Sequence, residues 1–505
     1  MHENLLYEWF QKNITKKECL VLILIMALAF FLRVWDIGGI GFNGDESIYS
    51  GQAASLLGNE EFVKNFAIFR AHPLLLQSLV SIFFTMFGIH DTTARIVPVI
   101  FGTLTVFLTY LTSKELFNKK IGIISSLVLA ILPFHVVFSR QVLVDVPLSF
   151  FVVLFLYFIT MYRKRGTSLY CYLTGASCGL CFLSKEVGII TIPIFMVYAF
   201  LTRGLKLKKI YSFLFGVVST TFPYFFFILS RQDAANAFEQ YAMFQLERYG
   251  HGLSFKYYSI LFNEALGYAL SILCIISVVL IVIESKRSKS RFYIDQVLLL
   301  VIVLSAFFSF YQFLPATGDR FMVTLVPPAV ILGCSVFVSD TLRRLRHSKF
   351  IYVIIIPVIL LSTNVFLSKI FPIEDLRISD GLGTPWKRDA ALWIKDNTAP
   401  NTGILTDNMP FANIIRFYSG HDVYAVTLSP NPSYLQVDNP AFLFLNNNIS
   451  IVVQDLDPYR QSKSTIELEK YLRFSDPKLV HTEYRYTTVA GKEIAIPMVN
   501  IYRVE

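Results

Sequence analysis

The chain has 505 residues, of which 54% are hydrophobic and 15% aromatic, with 47 phenylalanines and a formal net charge of +9 at pH 7. A mean hydropathy of +0.54 excludes a disordered chain or an ordinary soluble enzyme and implies a polytopic membrane protein. The positive charge does not imply nucleic-acid binding, because it is divided among short segments between apolar runs instead of forming one basic face.

Apolar runs of spanning length recur from about Cys19 to Phe371, whereas the residues after Phe371 are polar and mixed. The expected division is a transmembrane domain at 1–371 and an extracytoplasmic α/β domain at 372–505. The first apolar run, about 18–36, is long, lacks a convincing small-residue cleavage site and is followed by more spans, so it is expected to stay in the membrane. Further spans are expected at 94–113, 121–138, 146–162, 169–183, 187–202, 210–230, 260–283, 294–312, 321–340 and 350–371.

Pro73 to Ile89 is the ambiguous stretch. If it lies on the outer surface, or dips into it, the inner segments hold 21 Lys and Arg and the short outer loops hold 8. If it crosses, five of the six basic clusters fall outside, against the positive-inside rule. Eleven spans are therefore expected, with the N-terminus cytoplasmic and the residues after the last span outside. Backbone at membrane depth that does not span is acceptable where protein or a cavity surrounds it.

On that topology the outer loops hold the chemistry. Asp45 and Glu46 follow the first span in Gly41-Phe42-Asn43-Gly44-Asp45-Glu46-Ser47, and His72 precedes Pro73. Arg140 and Asp145 sit in the second loop, Lys185 in the third and Arg320 in the fifth. Charge this close to a bilayer marks functional sites, and carboxylates opposite cations suit an amphipathic substrate bearing a phosphate. Simpler roles exist for each residue. Asp45-Glu46 would also cap a helix N-terminus, Asp145 before Val146-Pro147 would open a helix, and Lys185 would snorkel from a helix end. Arg320 would pair with Asp319 or a lipid headgroup, and His72 would be a structural polar group or a metal ligand.

The ordered set of motifs resembles the polyprenyl-phosphate-dependent GT-C glycosyltransferases, which include protein O-mannosyltransferases and the lipid A aminoarabinose transferase. The matching residues are Gly44-Asp45-Glu46, His72-Pro73-Leu74, Gly88 with Ala94-Arg95-Ile96-Val97-Pro98 and Gly102, Arg140 to Pro147, Leu183-Ser184-Lys185-Glu186, and Arg320-Phe321 with Pro327. The resemblance covers roughly residues 15 to 340. It implies a sugar donor on a polyprenyl phosphate, an acceptor hydroxyl outside the membrane, surface helices between the first two spans, and no cofactor. Asp45 would act as base, with Glu46 and Asp145 as further catalytic carboxylates. Lys185, Arg320, Arg140 and His72 would bind substrate, with no metal. Transferring a sugar requires the acceptor hydroxyl to lose its proton as it attacks C1, which a positioned carboxylate can take, and Lys or Arg can stabilise the departing phosphate.

The remaining patterns read as structural. Asp455-Leu456-Asp457 has the D-x-D form of nucleotide-sugar enzymes but is isolated, and is expected to be a surface turn. Cys178 and Cys181 share an apolar span with Gly175 and Gly179, which suggests close helix packing. All six cysteines lie in spans, so none would staple the C-terminal domain. That domain is expected to hold helices at Trp386 to Asp396, Phe411 to Tyr418 and Thr465 to Phe474. Strands are expected at Gly403 to Thr406, Val423 to Leu428, Ile449 to Gln454, Leu479 to Arg485 and Ile494 to Tyr502. The rival function is a transporter or flippase, which would show internal repeats and helix breaks near mid-membrane. A non-catalytic scaffold would need no carboxylate opposite cations.

Overall fold

The computed structural model describes residues 16–66, 68, 73–202, 207–230, 256–288, 293–312, 318–339, 385–426, 436–437, 449–456, 463–489 and 492–504. These form two compact units that do not follow chain order, since Asp36–Val97 groups with the C-terminal residues and the first helix groups with those after Pro98.

The membrane unit is helical. Among the described residues, six helices are long and apolar enough to cross a bilayer: Asp91–Leu116, Asp145–Arg165, Lys209–Leu229, Gly267–Lys286, Ile294–Gln312 and Asp319–Val338. The expected span at 350–371 lies outside the described residues. Helices Ser168–Ser184 and Leu207–Leu229 pack closely because glycines line the seam. A Cβ on Gly175 would strike the Phe213 carbonyl, and one on Gly216 the Tyr172 carbonyl. Small residues let helix backbones approach in this way.

The expected span 121–138 is interrupted. Helix Lys119–Ile131 stops at Leu132, whose extended backbone precedes Pro133, and a short helix Pro133–Phe138 follows. Proline has no N–H to continue the ladder and pushes the preceding residue out of helical geometry. Arg33, fully buried in helix Lys16–Val34, donates to the orphaned carbonyls of Leu129 and Ala130 at 3.3 and 3.0 Å. Its cation sits at a helix C-terminus, where the backbone dipole favours it.

The second unit is built on a six-stranded sheet: β1 Gly403–Thr406, β2 Val423–Val426, β3 Gln436–Val437, β4 Ile449–Asp455, β5 Lys478–Val489 and β6 Lys492–Arg503. The spatial order is β3-β2-β1-β4-β6-β5, parallel from β3 to β4 and antiparallel beyond. Successive residues of a strand point to opposite faces. Ile404, Val453 and Val499 accordingly pack with helices Pro385–Asn397 and Met409–Ser419, while Leu405 and Val452 meet Leu468 and Leu472 of helix Lys463–Phe474. Helix Met409–Ser419 begins at the Asn408 cap and ends at Gly420, whose φ of 74° only glycine adopts readily. In the same unit, helix Leu75–Phe87 has 13 residues, about 20 Å of rise against ~30 Å of hydrocarbon.

Candidate active site

Asp45 stands in the first turn of helix Gly44–Leu56. Asn43 caps that helix, accepting from the Asp45 and Glu46 amides at 3.0 and 2.9 Å, while Glu46 reaches back to the Asn43 amide at 3.2 Å. This reciprocal cap accounts for Glu46 in the first turn, and Asp45 beside it meets the positive end of the helix. Their environments differ. Glu46 is fully buried, and Asp45 is partly exposed.

Arg95 holds the loop that leads to this turn. Its Nε and Nη2 donate to the two Glu46 oxygens, both at 2.8 Å. The other donors reach the carbonyls of Ile37 at 2.6 Å, Ile40 at 2.5 Å and Gly41 at 3.0 Å. All five guanidinium N–H groups are thereby used, on a residue only 4% exposed. The C-terminal residues of the same unit add further ties. Tyr418 Oη accepts from the Phe42 amide at 2.8 Å and donates to Asp91 at 3.0 Å, and Arg388 donates to the Gly38 carbonyl at 3.0 Å. Burial, then the Asp91 charge, raises the Tyr418 phenol, which keeps it protonated as that donor. Gly44 lies against Pro410, with no room for a Cβ.

In the membrane unit three of the expected residues meet. Asp145 opens helix Asp145–Arg165, Lys185 follows the end of helix Ser168–Ser184, and Arg320 lies in the turn Asp319–Leu325. Lys185 Nζ donates to Asp145 Oδ1 at 2.7 Å, and Arg320 Nε lies 3.8 Å from Asp145 Oδ2. Asp145 Oδ2 is buried without a hydrogen bond. The Phe321 ring supports the cations, with Lys185 Nζ 3.9 Å and the Arg320 guanidinium carbon 5.6 Å from its centroid. Burial lowers the Lys185 ammonium, and the Asp145 charge opposes that. Such an arrangement suits an incoming anion, because two cations stand over one aromatic ring with a single buried carboxylate between them.

Arg140 is placed otherwise, donating to the Trp35 carbonyl at 2.5 Å. His72 lies outside the described residues, as does the loop 231–255. The reading of Asp455 as part of a surface turn is corrected: it is 3% exposed and ion-paired with Lys387. Sequence reasoning also gave Arg95 no role of its own. The available signal was an arginine in the first turns of a long apolar helix, where a charge needs a reason.

A family model described as dolichyl-phosphate-mannose-protein mannosyltransferase matches residues 71–226. An uncharacterised protein of Aquifex aeolicus (strain VF5) is 27% identical over 194 residues, 37% of this chain and 38% of that protein. The chain thus matches about two fifths of that relative's length. Among solved structures, ArnT from Cupriavidus metallidurans in the apo state is similar with a TM-score of 0.67 at 14% identity, covering 95% of this chain and 97% of that one. The same protein bound to undecaprenyl phosphate gives 0.65 at 14% identity, with the same coverage. Archaeal oligosaccharyltransferase AglB from Archaeoglobus fulgidus, in complex with an inhibitory peptide and a dolichol-phosphate, gives 0.59 at 15% identity, covering 97% of this chain and 74% of that one. The resemblance carried by the motifs is thus matched in sequence over residues 71–226 and in structure over nearly the whole chain, and the fold is that of the GT-C membrane glycosyltransferases.

Proposed function

We propose that the protein transfers a sugar, mannose or a similar hexose or pentose, from a polyprenyl- or dolichyl-phosphate donor to a hydroxyl of an extracytoplasmic protein, glycan or lipid. The observation that carries this reading is the buried Asp145–Lys185–Arg320 cluster with its two cations over Phe321. The binding of undecaprenyl phosphate by ArnT, which shares the fold, supports it.

In this mechanism Lys185 and Arg320 bind the donor phosphate and stabilise its charge as the C1–O bond breaks. Asp145 holds the two cations in place. Asp45 takes the acceptor proton as the hydroxyl attacks C1 from the face opposite the phosphate, which inverts the anomeric centre. Glu46 acts through Arg95 and the cap to fix the backbone that carries Asp45. Arg140 shapes the second loop, and His72 contributes to donor binding.

The eleven-span topology, the division at 371/372, a plasma-membrane location and an outward-facing site belong to the same proposal, with membrane lipid as the surroundings. Single-cysteine labelling tests the topology. Positions 60 and 420 should react with an impermeant reagent from outside, and positions 287 and 344 should not. Positions 344 and 420 labelled from one side would rule the arrangement out. The activity is tested by incubating purified protein with a panel of polyprenyl-phosphate sugars, where Lys185→Ala should weaken donor binding and Asp45→Asn should stop transfer with donor still bound.

A further inference from the structure

The carboxyl ends of β1 and β4 hold a charged cluster that the transferase mechanism does not use. β2 and β3 extend the sheet on one side of β1 and β4 on the other, so the strand order reverses between β1 and β4. Doubly wound sheets open a ligand crevice at such a point. This chain fills the position with its own side chains.

Asp407 follows β1 and Asp455 ends β4, and both are almost fully buried, at 1% and 3% exposure. Lys387, from helix Pro385–Asn397, pairs with Asp455. Asp407 takes its own hydrogen bonds from neutral groups: Asn408 Nδ2 at 2.9 Å, Thr465 Oγ1 at 3.0 Å and Thr406 Oγ1 at 3.3 Å. The Asn408 amide also reaches Asp455 at 3.4 Å, so the two carboxylates are close neighbours. Asp407 is thus a buried carboxylate beside another, with the nearest ammonium committed to its neighbour. A buried acid beside a like charge favours its neutral form.

We propose that Asp407 is a proton-operated latch: as the surrounding medium acidifies, it takes up a proton and tightens the junction of β1, β4 and helices Pro385–Asn397 and Lys463–Phe474. The proton comes from the medium and rests on an Asp407 oxygen. The neutral acid still accepts from Thr465 and Asn408 but no longer opposes Asp455. The groups facing Asp407 are Asp455 on β4, Lys387 and Thr465 on the two helices, Thr406 on β1, and Asn408 at the cap.

Burial, then the Asp455 charge, pushes the Asp407 carboxyl up to about 6 from an ordinary 3.8. Between those values the folded unit keeps a proton that an opened chain has lost, so stability falls as pH rises through the window and levels off above it. The reverse change, from pH 7.5 to pH 5, should lower the equilibrium for local opening by about 10-fold.

The experiment is hydrogen–deuterium exchange on the full-length protein in nanodiscs at both pH values, corrected for intrinsic exchange, with peptides covering 403–419 and 449–474. Wild type should gain about 10-fold protection at pH 5. Asp407→Asn, which is permanently neutral, should show the acid-like protection at both pH values. Equal wild-type protection at pH 5 and pH 7.5 would overturn the proposal, as would an Asp407→Asn protein that keeps the full pH response. An Asp407→Asn protein that fails to fold would also overturn it, since the neutral form is the favoured one.

Discussion

Glu46 and Asp145 are both buried carboxylates bound to buried cations, yet one pair is closed and the other open. Both Glu46 oxygens accept from Arg95, whose remaining donors are spent on three backbone carbonyls. Asp145 offers one oxygen to Lys185 and keeps the other without a hydrogen bond, 3.8 Å from Arg320. In the closed pair every Arg95 N–H is already used, so the cation has no donor left for a substrate and the pair serves as scaffold. At the open one, two cations share a single carboxylate, so positive charge is left over for an incoming anion. Breaking a buried pair leaves an uncompensated charge in either case, but only the open pair should report on donor binding.

The largest effect is expected beside the closed pair. Asp45→Asn should cut transfer by about 100- to 10,000-fold, the usual loss on removing a general base, while thermal stability and donor affinity stay near wild type. Near-normal turnover would remove Asp45 from the mechanism. Next, Arg95→Met should cost about 3–5 kcal/mol of stability, because Glu46 is left buried and three carbonyls lose their donor. A shift confined to donor affinity, with unfolding unchanged, would break the distinction between closed and open pairs.

A smaller effect is expected at the open pair. Lys185→Ala should weaken donor binding by roughly 10- to 100-fold, the contribution of a charge-assisted hydrogen bond. Titrating wild type and variant with a polyprenyl phosphate would show it, and unchanged affinity would move the phosphate elsewhere. Tyr418→Phe should cost about 1–3 kcal/mol, since it removes the acceptor of the Phe42 amide. Its signature is faster exchange of the 36–46 loop, and a loop that exchanges at the wild-type rate would show that Tyr418 is dispensable there. No effect at all is expected from EDTA, because Lys185 and Arg320 supply the charge that a departing monophosphate needs. Activity that disappears with EDTA and returns with a divalent ion would overturn that expectation.

Local signals were readable where the physics is local. Asp145 before Val146-Pro147 and β-branched runs such as Ile449–Val453 lie within a few residues of the elements they set, and the helices and strands after Pro385 lie close to where such signals place them. Long-range pairing was not readable. Nothing in Asp45-Glu46 says which of the two will be buried, because that depends on Arg95, 49 residues after Glu46. The Lys387–Asp455 pair joins residues 68 apart, so its D-x-D neighbourhood looked like an exposed turn. Hydropathy over 121–138 gave the expectation of one continuous span and missed the break at Leu132, since Pro133 and the Arg33 donor act through backbone geometry that an apolar average does not record.

The most direct test of the central claim is an end-point balance on purified protein supplied with a polyprenyl-phosphate sugar and a hydroxyl acceptor. Free polyprenyl phosphate and glycosylated acceptor should form in equal amounts with wild type, and neither should form with Asp45→Asn. Wild-type protein that binds the donors but never releases lipid phosphate, while moving lipid-linked sugar across a vesicle membrane, would contradict the account and make the protein a transporter.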